Sequence, residues 1–141
     1  MRVCIVGSRN FESYPILEHI VSTYFIEKRI NVTEIVSGGA RGADSLAEKF
    51  AFQHKIPFNL FVAQWDELGK RAGVMRNKEM ANYSDIFMIF WDGFSKGTNN
   101  MINEVKKLQK NYVIYNFNGD KIYEYDESVE RSRENLLNWV V

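Results

Sequence analysis

The residues Glu34-Ile35-Val36-Ser37-Gly38-Gly39-Ala40-Arg41-Gly42-Ala43-Asp44 (EIVSGGARGAD) decide the fold of this 141-residue chain. Glu34–Ser37 predicts a short strand, and apolar residues at helical spacing predict a helix over Ala43–His54. The glycines between them let the backbone approach a ligand closely, and the first amides of a helix attract phosphate or carboxylate groups. The stretch therefore predicts a strand, a glycine-rich turn and a helix, with an anion site at the turn.

The same alternation of strand and helix continues on both sides of this unit. Further strands are predicted at Arg2–Gly7, Pro57–Ala63 and Ile86–Trp91, and further helices at Tyr14–Lys28, Gly69–Asn82 and Thr98–Lys110. Repeated βα units with right-handed crossovers produce a parallel sheet that helices cover on both faces. We therefore predict a three-layer α/β fold, whose mostly parallel sheet has the strand order 3-2-1-4-5.

The C-terminal part departs from this alternation. Tyr112–Phe117 and Lys121–Tyr125 flank Asn118-Gly119, a pair that favours a type I′ hairpin turn and so predicts an antiparallel edge strand. A helix is predicted over Glu127–Val141. Its apolar tip must pack back on the sheet or meet another chain, which predicts a homo-oligomer; the tip comprises Leu136, Leu137, Trp139, Val140 and Val141. We expect one domain over residues 1–141.

The composition excludes several classes of protein. The chain has 18 Lys and Arg residues against 18 Asp and Glu residues, and 45% of it is hydrophobic. This balance excludes intrinsic disorder and disfavours nucleic acid as a partner, and no apolar run is long enough to cross a membrane. The lone Cys4 is predicted to be a buried thiol, and the isolated His19 and His54 do not indicate a metal site. We expect a cytoplasmic protein without a bound metal or cofactor.

The loops that follow the predicted strands hold most of the glycines and a group of cations. In open parallel sheets, ligands bind beyond the carboxyl ends of the strands, so these loops are where a site is expected. A neutral chain that gathers cations on one rim offers a local anion site without a basic field over the whole surface. The cations are Arg9, Arg41, Lys70, Arg71, Arg76 and Lys96.

Two further features of these loops suggest a nucleotide. Ser95-Lys96-Gly97-Thr98 opens a second helix, where Thr98 either caps the helix or donates its hydroxyl to a phosphate. Trp65-Asp66 and Trp91-Asp92 pair an aromatic ring, suited to stacking on a base, with a carboxylate that binds a ribose hydroxyl or acts as a general base. Ordinary structural roles stay open for each: helix capping for the carboxylates and core-edge packing for the tryptophans. The glycine spacing matches neither a P-loop nor a dinucleotide fingerprint.

The order of these motifs resembles the SLOG superfamily, and within it the YspA branch of YpsA-related proteins. The resemblance covers about Met1 to Tyr115, so that residues 116–141 rest on their own pattern alone. It implies a Rossmann-like fold and a site for nucleotides or nucleotide-derived ligands. The motifs are Gly7-Ser8-Arg9, Ser37–Asp44, Trp65-Asp66, Gly69, Ala72-Gly73, Arg76-Asn77, Trp91-Asp92-Gly93 and Ser95–Thr98.

The resemblance leaves the activity open. Relatives of the Lonely Guy type hydrolyse nucleoside 5′-monophosphates with an Arg and a Glu beside a PGGxGT-type loop. Here Ser95–Thr98 lacks Pro-Gly-Gly, the position three residues after Thr98 is Met101, and Glu104 is the first carboxylate of that helix. DprA-like relatives bind single-stranded DNA through basic surfaces that this neutral chain lacks.

We therefore predict a module that binds a nucleotide or nucleotide-derived ligand as a sensor or by sequestering it. The alternatives are an N-glycosidic hydrolase or transferase with Asp44, Asp66 or Asp92 as the catalytic carboxylate, and a partner protein that assembles through its C-terminal tip. The predicted ligand-binding residues are Gly7, Ser8, Arg9, Ser37, Gly38, Gly39, Arg41, Gly42, Asp44, Trp65, Arg76, Asn77, Trp91, Ser95, Gly97 and Thr98.

Overall fold

One six-stranded sheet runs through the computed structural model, which describes residues 1–140 apart from the side chain of Val140. The strand order is β3-β2-β1-β4-β5-β6; the first five strands are parallel and β6 is antiparallel to β5. This confirms the predicted 3-2-1-4-5 order and the antiparallel edge strand. The strands are β1 (Arg2–Gly7), β2 (Glu34–Ser37), β3 (Phe58–Leu60), β4 (Ile86–Phe90), β5 (Asn111–Tyr115) and β6 (Lys121–Tyr125).

Helices cover both faces of the sheet, as predicted for an α/β fold. Because successive side chains of a strand point to opposite faces, Val3 and Ile5 of β1 join the core on one side, and Cys4 and Val6 join the core on the other. The first core includes residues of α1 and α2, and the second includes residues of α4 and α5. The helices are α1 (Tyr14–Glu27), α2 (Ala43–Gln53), α3 (Trp65–Leu68), α4 (Ala72–Tyr83), α5 (Lys96–Leu108) and α6 (Glu127–Val140).

The lone cysteine lies in the middle of the sheet. Cys4 is fully buried and its thiol is free. Burial raises the pKa of the Cys4 thiol well above its ordinary value, and this is the environment of an unreactive structural cysteine. The predicted burial of this thiol is confirmed.

The region after β2 differs from the predicted pattern in two ways. The third strand ends at Leu60 rather than Ala63, because its partner β2 ends at Ser37, the residue that pairs with Leu60. The chain then forms the short helix α3 from Trp65, where the sequence predicted only a strand end. Asp66 and Glu67 lie in the first turn of α3, where carboxylates interact favourably with the helix dipole.

The hairpin between β5 and β6 has a turn different from the predicted one. A type I′ turn needs positive φ at both central residues, whereas Gly119 has a φ of 88° and Asn118 is not among the residues with positive φ. Instead, the side-chain oxygen of Asn116 accepts hydrogen bonds from the amides of Asn118 and Asp120, at 3.0 and 2.9 Å. The Asn116 side chain thus organises a longer loop.

The C-terminal helix α6 carries exposed apolar side chains at its end. Leu136 and Leu137 are each 66% exposed and Trp139 is 88% exposed, so these residues do not pack back on the sheet. Val141 and the side chain of Val140, which the sequence also assigned to the apolar tip, lie outside the described residues. Within residues 1–140, no helix combines the length and apolar character needed to cross a bilayer.

Candidate functional site

The loops after β1, β2 and β4 meet the start of α5 and the side of α4 at the carboxyl end of the sheet. They enclose a cavity of about 70 Å³. Seven of the predicted ligand-binding residues line it together with Asp44. The lining comprises Val6, Gly7, Arg9, Ala40, Asp44, Arg76, Asn77, Met80, Ser95, Gly97, Thr98 and Met101.

Asp44 is the carboxylate of this cavity. Its side chain is 3% exposed and accepts hydrogen bonds from the amides of Gly7 and Ala40, both at 3.3 Å. Burial raises the pKa of Asp44 to about 6, although the positive charge of Arg76 and the backbone amides act in the opposite direction. Asp44 therefore joins the loops after β1 and β2 and places an acid of unusual pKa against the cavity.

Arg76 reaches across from α4 to the glycine-rich turn. Its Nη1 donates a hydrogen bond of 2.8 Å to the carbonyl of Gly38. Its Nε is buried and has no hydrogen-bond partner among the residues that the structure describes. A buried donor without an acceptor costs about 1–3 kcal/mol, so this nitrogen is a specific indication of a binding site.

Gly38 lies between Asp44 and Arg76. A Cβ at this position would lie 2.9 Å from Asp44 Oδ2 and 3.0 Å from the Cζ and Nε atoms of Arg76. The absence of a side chain thus lets the carboxylate and the guanidinium both approach the turn. The predicted importance of this glycine has a steric basis.

The N-terminus of α5 forms the opposite wall of the cavity. Its first amides have no intrahelical acceptor, and no side chain of the described residues caps them. The Oγ atoms of Ser95 and Thr98 lie 3.1 Å apart. Asn77 donates to the carbonyl of Gly97 at 3.2 Å and to the side chain of Asn100 at 2.9 Å, and so fixes α4 against this end of α5. Free amides at a helix start favour an anion.

A wider groove of about 280 Å³ adjoins the cavity. Arg9, Ala40 and Arg76 line both spaces and therefore lie between them. The other side of the groove is apolar and includes the ring of Trp65, which is 52% exposed and covers Gly73. The remaining lining residues are Gly38, Gly39, Leu60, Val62 and Ala63.

Four predicted site residues hold the loops in place, and of these only Gly7 also lines the cavity. Ser37 is fully buried and its Oγ donates to the carbonyl of Ile5 at 2.6 Å. Ser8 is also fully buried, and its Oγ accepts from the amide of Asp92 at 3.2 Å. A Cβ on Gly7 would lie 2.1 Å from the carbonyl oxygen of Phe90, and one on Gly42 would lie 2.3 Å from that of Ser8. These residues allow neighbouring backbone segments to approach each other.

The structure places the other candidates away from the cavity. Asp92 accepts hydrogen bonds from the amides of Phe94 and Ser95, at 2.9 and 2.8 Å, which organise the turn before α5. These bonds lower the pKa of Asp92 from its ordinary value. Trp91 donates from its indole nitrogen to the carbonyl of Ser95 at 3.1 Å. Arg41 and Asp66 are exposed and lie outside the linings of both the cavity and the groove.

Several lining residues were not predicted. Leu60, Val62 and Ala63 lie at or just beyond the carboxyl end of β3. Because ligands bind beyond the carboxyl ends of parallel strands, this position alone could have predicted them. Met80 and Met101 line the cavity because they lie on the faces of α4 and α5 that pack against the sheet. An apolar residue type predicts such a core position but does not indicate that the residue borders a cavity.

A larger groove, of about 360 Å³, lies between α1 and the β5–β6 hairpin, far along the chain from the glycine-rich turns. Three of its charged groups are paired with one another: Glu124 contacts Lys28 at 3.3 Å and Lys121 at 2.9 Å. Among the described residues, no side chain that lines this groove has a buried donor without a hydrogen-bond partner, whereas Arg76 in the smaller cavity has one. Within the described residues, no cluster of three or more His, Cys, Asp or Glu side chains has the arrangement of a metal site.

Two comparisons with known proteins bear on the identity of the chain. The model of the YspA, cpYpsA-related SLOG family matches residues 1–67. The Gene 61 protein of Mycobacterium phage D29 is 40% identical over 126 residues, which cover 85% of this chain and 98% of that protein. The name of this relative says nothing about activity, whereas the family suggests a nucleotide-related function, either binding or glycosidase-like chemistry. The chain belongs to the YspA, cpYpsA-related SLOG family.

Proposed function

We propose that the protein binds a nucleotide or nucleotide-derived ligand, as a sensor or by sequestering it. The phosphoryl end lies in the cavity between Arg9, Arg76 and the start of α5. The base lies in the adjoining groove, where the ring of Trp65 stacks on it. Thr98 and Ser95 supply hydroxyl groups to the phosphoryl oxygens.

The observation that carries this proposal is the buried, unpaired Nε of Arg76. An oxyanion in the cavity supplies the acceptor that this donor lacks. The same oxyanion accepts from the free amides of α5, and its charge is balanced by Arg9 and Arg76, which line the space.

The sizes of the cavity and the groove support a ligand whose phosphoryl group lies in the cavity and whose base lies in the groove. A cavity of about 70 Å³ is several times the roughly 10–15 Å³ that a cavity needs to hold one water molecule, and we take this as room for a single phosphoryl group. The groove, at about 280 Å³, approaches the roughly 300 Å³ at which small-molecule sites begin. Its apolar wall suits the flat face of a base, and its junction with the cavity carries both arginines.

The alternative of an N-glycosidic hydrolase or transferase draws on Asp44. A buried carboxylate with a pKa of about 6 beside a cavity is a typical candidate for a general acid or base. Against it, Met101 lines the cavity three residues after Thr98, where the Lonely Guy pattern requires a glutamate. The binding proposal is therefore the stronger one.

The test is mass spectrometry of the purified protein after incubation with mononucleotides, NAD, ADP-ribose and cyclic nucleotides. We expect one species to be retained unchanged in molar proportion to the protein. Arg76→Ala abolishes the retention, while Lys78→Ala, which removes an exposed cation from the same helix, preserves it. Release of free base or ribose phosphate would make the protein an enzyme, and equal retention by Arg76→Ala would contradict the proposed site.

We also propose that the protein self-associates through the end of α6. The support is the exposure of Leu136, Leu137 and Trp139, a large apolar surface for a helix that makes few contacts with the sheet. Deletion of residues 136–141 is expected to yield a monomer that still binds ligand, as measured by analytical ultracentrifugation and the assay above. A full-length protein that is already monomeric at all accessible concentrations would contradict this.

A further inference from the structure

We infer that the apolar end of α6 binds in a tyrosine-lined groove on a second copy of the chain, and that two copies exchange these helix ends reciprocally. The inference rests on the proposed self-association and names the surface that receives Leu136, Leu137 and Trp139. The juxtaposition behind it is an amphipathic helix that begins beside an aromatic groove and carries its own apolar end away from that groove.

The helix α6 packs little against the described part of its own chain. Its side chains from Glu127 to Trp139 are exposed, except that of Glu130, which is half-buried. A helix of 14 residues is marginal in water by itself, since most helices in proteins are stabilised by the packing of an apolar face. A surface that covers α6 would therefore stabilise it.

One side of α6 has the apolar character that such packing requires. Val129, Leu136 and Trp139 are seven and three residues apart, so at 3.6 residues per turn they lie within an arc of about 80°. Leu137 borders this stripe. After Arg133, Glu134 is the single charged side chain in the sequence. The end of the helix is therefore apolar and carries no positive side chain.

The tyrosine groove has a volume of about 210 Å³ and lies beside the C-terminal end of α5. The ring centroids of Tyr123 and Tyr125 lie 5.6 and 6.0 Å from that of Tyr112. Lys106 and Gln109 complete the lining. The groove is smaller than the roughly 300 Å³ at which small-molecule sites begin, so it suits one large side chain better than a separate ligand.

The chemistry of the groove matches the end of α6. Tyrosine rings pack on an indole, and the tyrosine hydroxyls and the Gln109 amide offer acceptors to the Nε1–H of Trp139, which only donates. The C-terminal end of a helix carries a partial negative charge that a cation stabilises. Lys106 is exposed and takes part in none of the ion pairs between described residues, so it is available to the arriving helix end.

The groove is filled by a second copy because α6 leads away from its own groove. Tyr125 lies two residues before α6, whereas Trp139 lies roughly 18 Å along the helix axis from Glu127. The start of the helix is held in place, since the amide of Glu127 donates to Asn111 Oδ1 at 2.8 Å. Trp139 is 88% exposed and does not line its own groove.

Reciprocal exchange closes as a symmetric dimer. Each groove lies at the base of a helix whose end enters the groove of the partner, so the two α6 helices run antiparallel beside each other. The stripe that contains Val129 and Leu136 then lies between them. A two-fold axis makes both contacts at once, which produces a closed dimer rather than a filament.

The first experiment measures the dimer dissociation constant of the full chain by analytical ultracentrifugation. Trp139→Ala and Tyr123→Ala are each expected to raise it at least about 30-fold, because aromatic anchors in a central pocket dominate interface energies. Tyr123 is 49% exposed, so its replacement leaves the core intact. The control is Phe52→Ala, which removes an exposed aromatic ring from α2 and is expected to leave the constant unchanged.

Mixing the two variants distinguishes an end in a groove from two ends that bind each other. The Trp139→Ala chain keeps its groove and the Tyr123→Ala chain keeps its helix end, so the mixed dimer regains one of the two contacts. We expect it to be at least about fivefold tighter than either variant alone. A dimer that Trp139→Ala weakens and Tyr123→Ala does not would overturn the inference.

The role of the cation is tested with a matched pair of lysines. Lys106→Gln is expected to weaken the dimer about two- to fivefold, the usual effect of a cation near a helix C-terminus. Lys107→Gln removes the neighbouring charge, which pairs with Glu104 at 3.3 Å, and is expected to leave the dimer unchanged. Equal effects of the two substitutions would contradict the placement of the helix end beside Lys106.

Cross-linking tests the same contact without weakening it. A Gln109→Cys chain mixed with an Asn138→Cys chain is expected to form a mixed disulfide on mild oxidation, while a Phe52→Cys chain mixed with Asn138→Cys is not. The native Cys4 is fully buried and does not compete. Disulfides between two Asn138→Cys chains, without the mixed product, would overturn the inference.

The outcomes separate this inference from the proposal on which it rests. A full-length chain that stays monomeric would overturn self-association itself. A dimer that deletion of residues 136–141 abolishes, but that Tyr123→Ala and the cross-linking pair show to be independent of the groove, would overturn only the inference.

Discussion

The glycine-rich loops after β2 and β4 look alike in the sequence, since each joins a strand to a helix and carries a cation. In the structure they differ sharply. A Cβ on Gly42, in the first loop, would lie 2.3 Å from the carbonyl oxygen of Ser8 and 2.6 Å from Arg9. A Cβ on Gly97, at the start of α5, would have no described atom within 4 Å.

The comparison separates two reasons for a glycine beside a binding site. Gly42 is required by the protein itself, because two backbone segments pass each other there. Gly97 meets no such requirement within the described residues, and we propose that its small size lets a ligand approach the start of α5. We therefore expect a substitution at the first position to change folding, and a substitution at the second position to change binding. The predictions below test this distinction, from the largest expected effect to the smallest.

Gly42→Ala is expected to lower the free energy of unfolding by about 3–4 kcal/mol. The residue has a φ of 75°, which strains any side chain, and the added Cβ overlaps backbone atoms that cannot move independently. Urea denaturation at pH 7 measures the change. A loss below about 1 kcal/mol would show that the backbone around Gly42 can shift to accommodate the methyl group. The steric difference between Gly42 and Gly97 would then have no effect on stability.

The stability of the protein is expected to depend on pH through Asp44. Because its folded-state pKa of about 6 lies above the ordinary value near 3.9, the folded protein holds this proton more tightly than the unfolded chain. The stabilisation is fully present below about pH 4 and is lost as the pH rises through 6, a change of about 3 kcal/mol for a shift of two pKa units.

The measurement is urea denaturation from pH 4 to pH 7 on the wild type and on Asp44→Asn. We expect the stability of the wild type relative to the variant to fall over this interval. Glu79→Gln serves as the control for the loss of an exposed carboxylate. A relative stability that rises with pH would mean that Asp44 is held ionised by Arg76 and the loop amides.

Arg76→Lys is expected to weaken ligand binding by about 2 kcal/mol, or roughly 30-fold, because a hydrogen bond to a charged group is worth about 1.5–3 kcal/mol. Lysine keeps the charge but has neither the Nε donor nor the fork that reaches Gly38. Isothermal titration calorimetry with the retained ligand measures the change. Arg41→Ala, at an exposed position outside the cavity, is expected to change the affinity less than twofold, and a larger effect there would extend the site beyond the two spaces.

Gly97→Ala is expected to have the smallest effect on folding and a visible effect on binding. Its backbone is within the helix α5, where alanine replaces glycine with a gain of up to about 1 kcal/mol. The new methyl group points to open space beside the amides that would receive the phosphoryl group, so the affinity is expected to fall. Unchanged affinity together with unchanged stability would mean that the ligand does not approach this loop.

The sequence predicted the fold closely because the fold follows from periodicity. The β-branched run of β1, the wholly apolar β4 and the helical spacing of α2 and α5 each indicate their own structure, and their alternation implies a parallel sheet. The prediction was less accurate where contacts with another segment decide the local structure. The end of β3 depends on how far β2 extends, and the hairpin turn depends on the Asn116 side chain.

The site was predicted as a region rather than as a set of contacts. Motif order located the loops after β1, β2 and β4 at one edge of the sheet, and these loops do line one cavity. It did not separate Arg76, whose guanidinium faces the cavity, from Arg41, which faces solvent. Nor did it separate Asp44 from Asp66 and Asp92, since all three carboxylates follow a strand, and only the structure shows that Asp44 is the buried one that lines the cavity.

The sequence by itself determined the order of strands and helices, the burial of Cys4 and the edge of the sheet at which polar groups collect, because local pattern and chain connectivity are sufficient for these. Only the tertiary structure decided which glycines are required by packing, which donor is left unpaired and which carboxylate shares a cavity with two arginines. Those properties arise where segments far apart in the chain come within a few ångströms of each other. Distances of that kind decide steric overlap, hydrogen bonding and pKa, and they are not encoded in the spacing of residues along the chain.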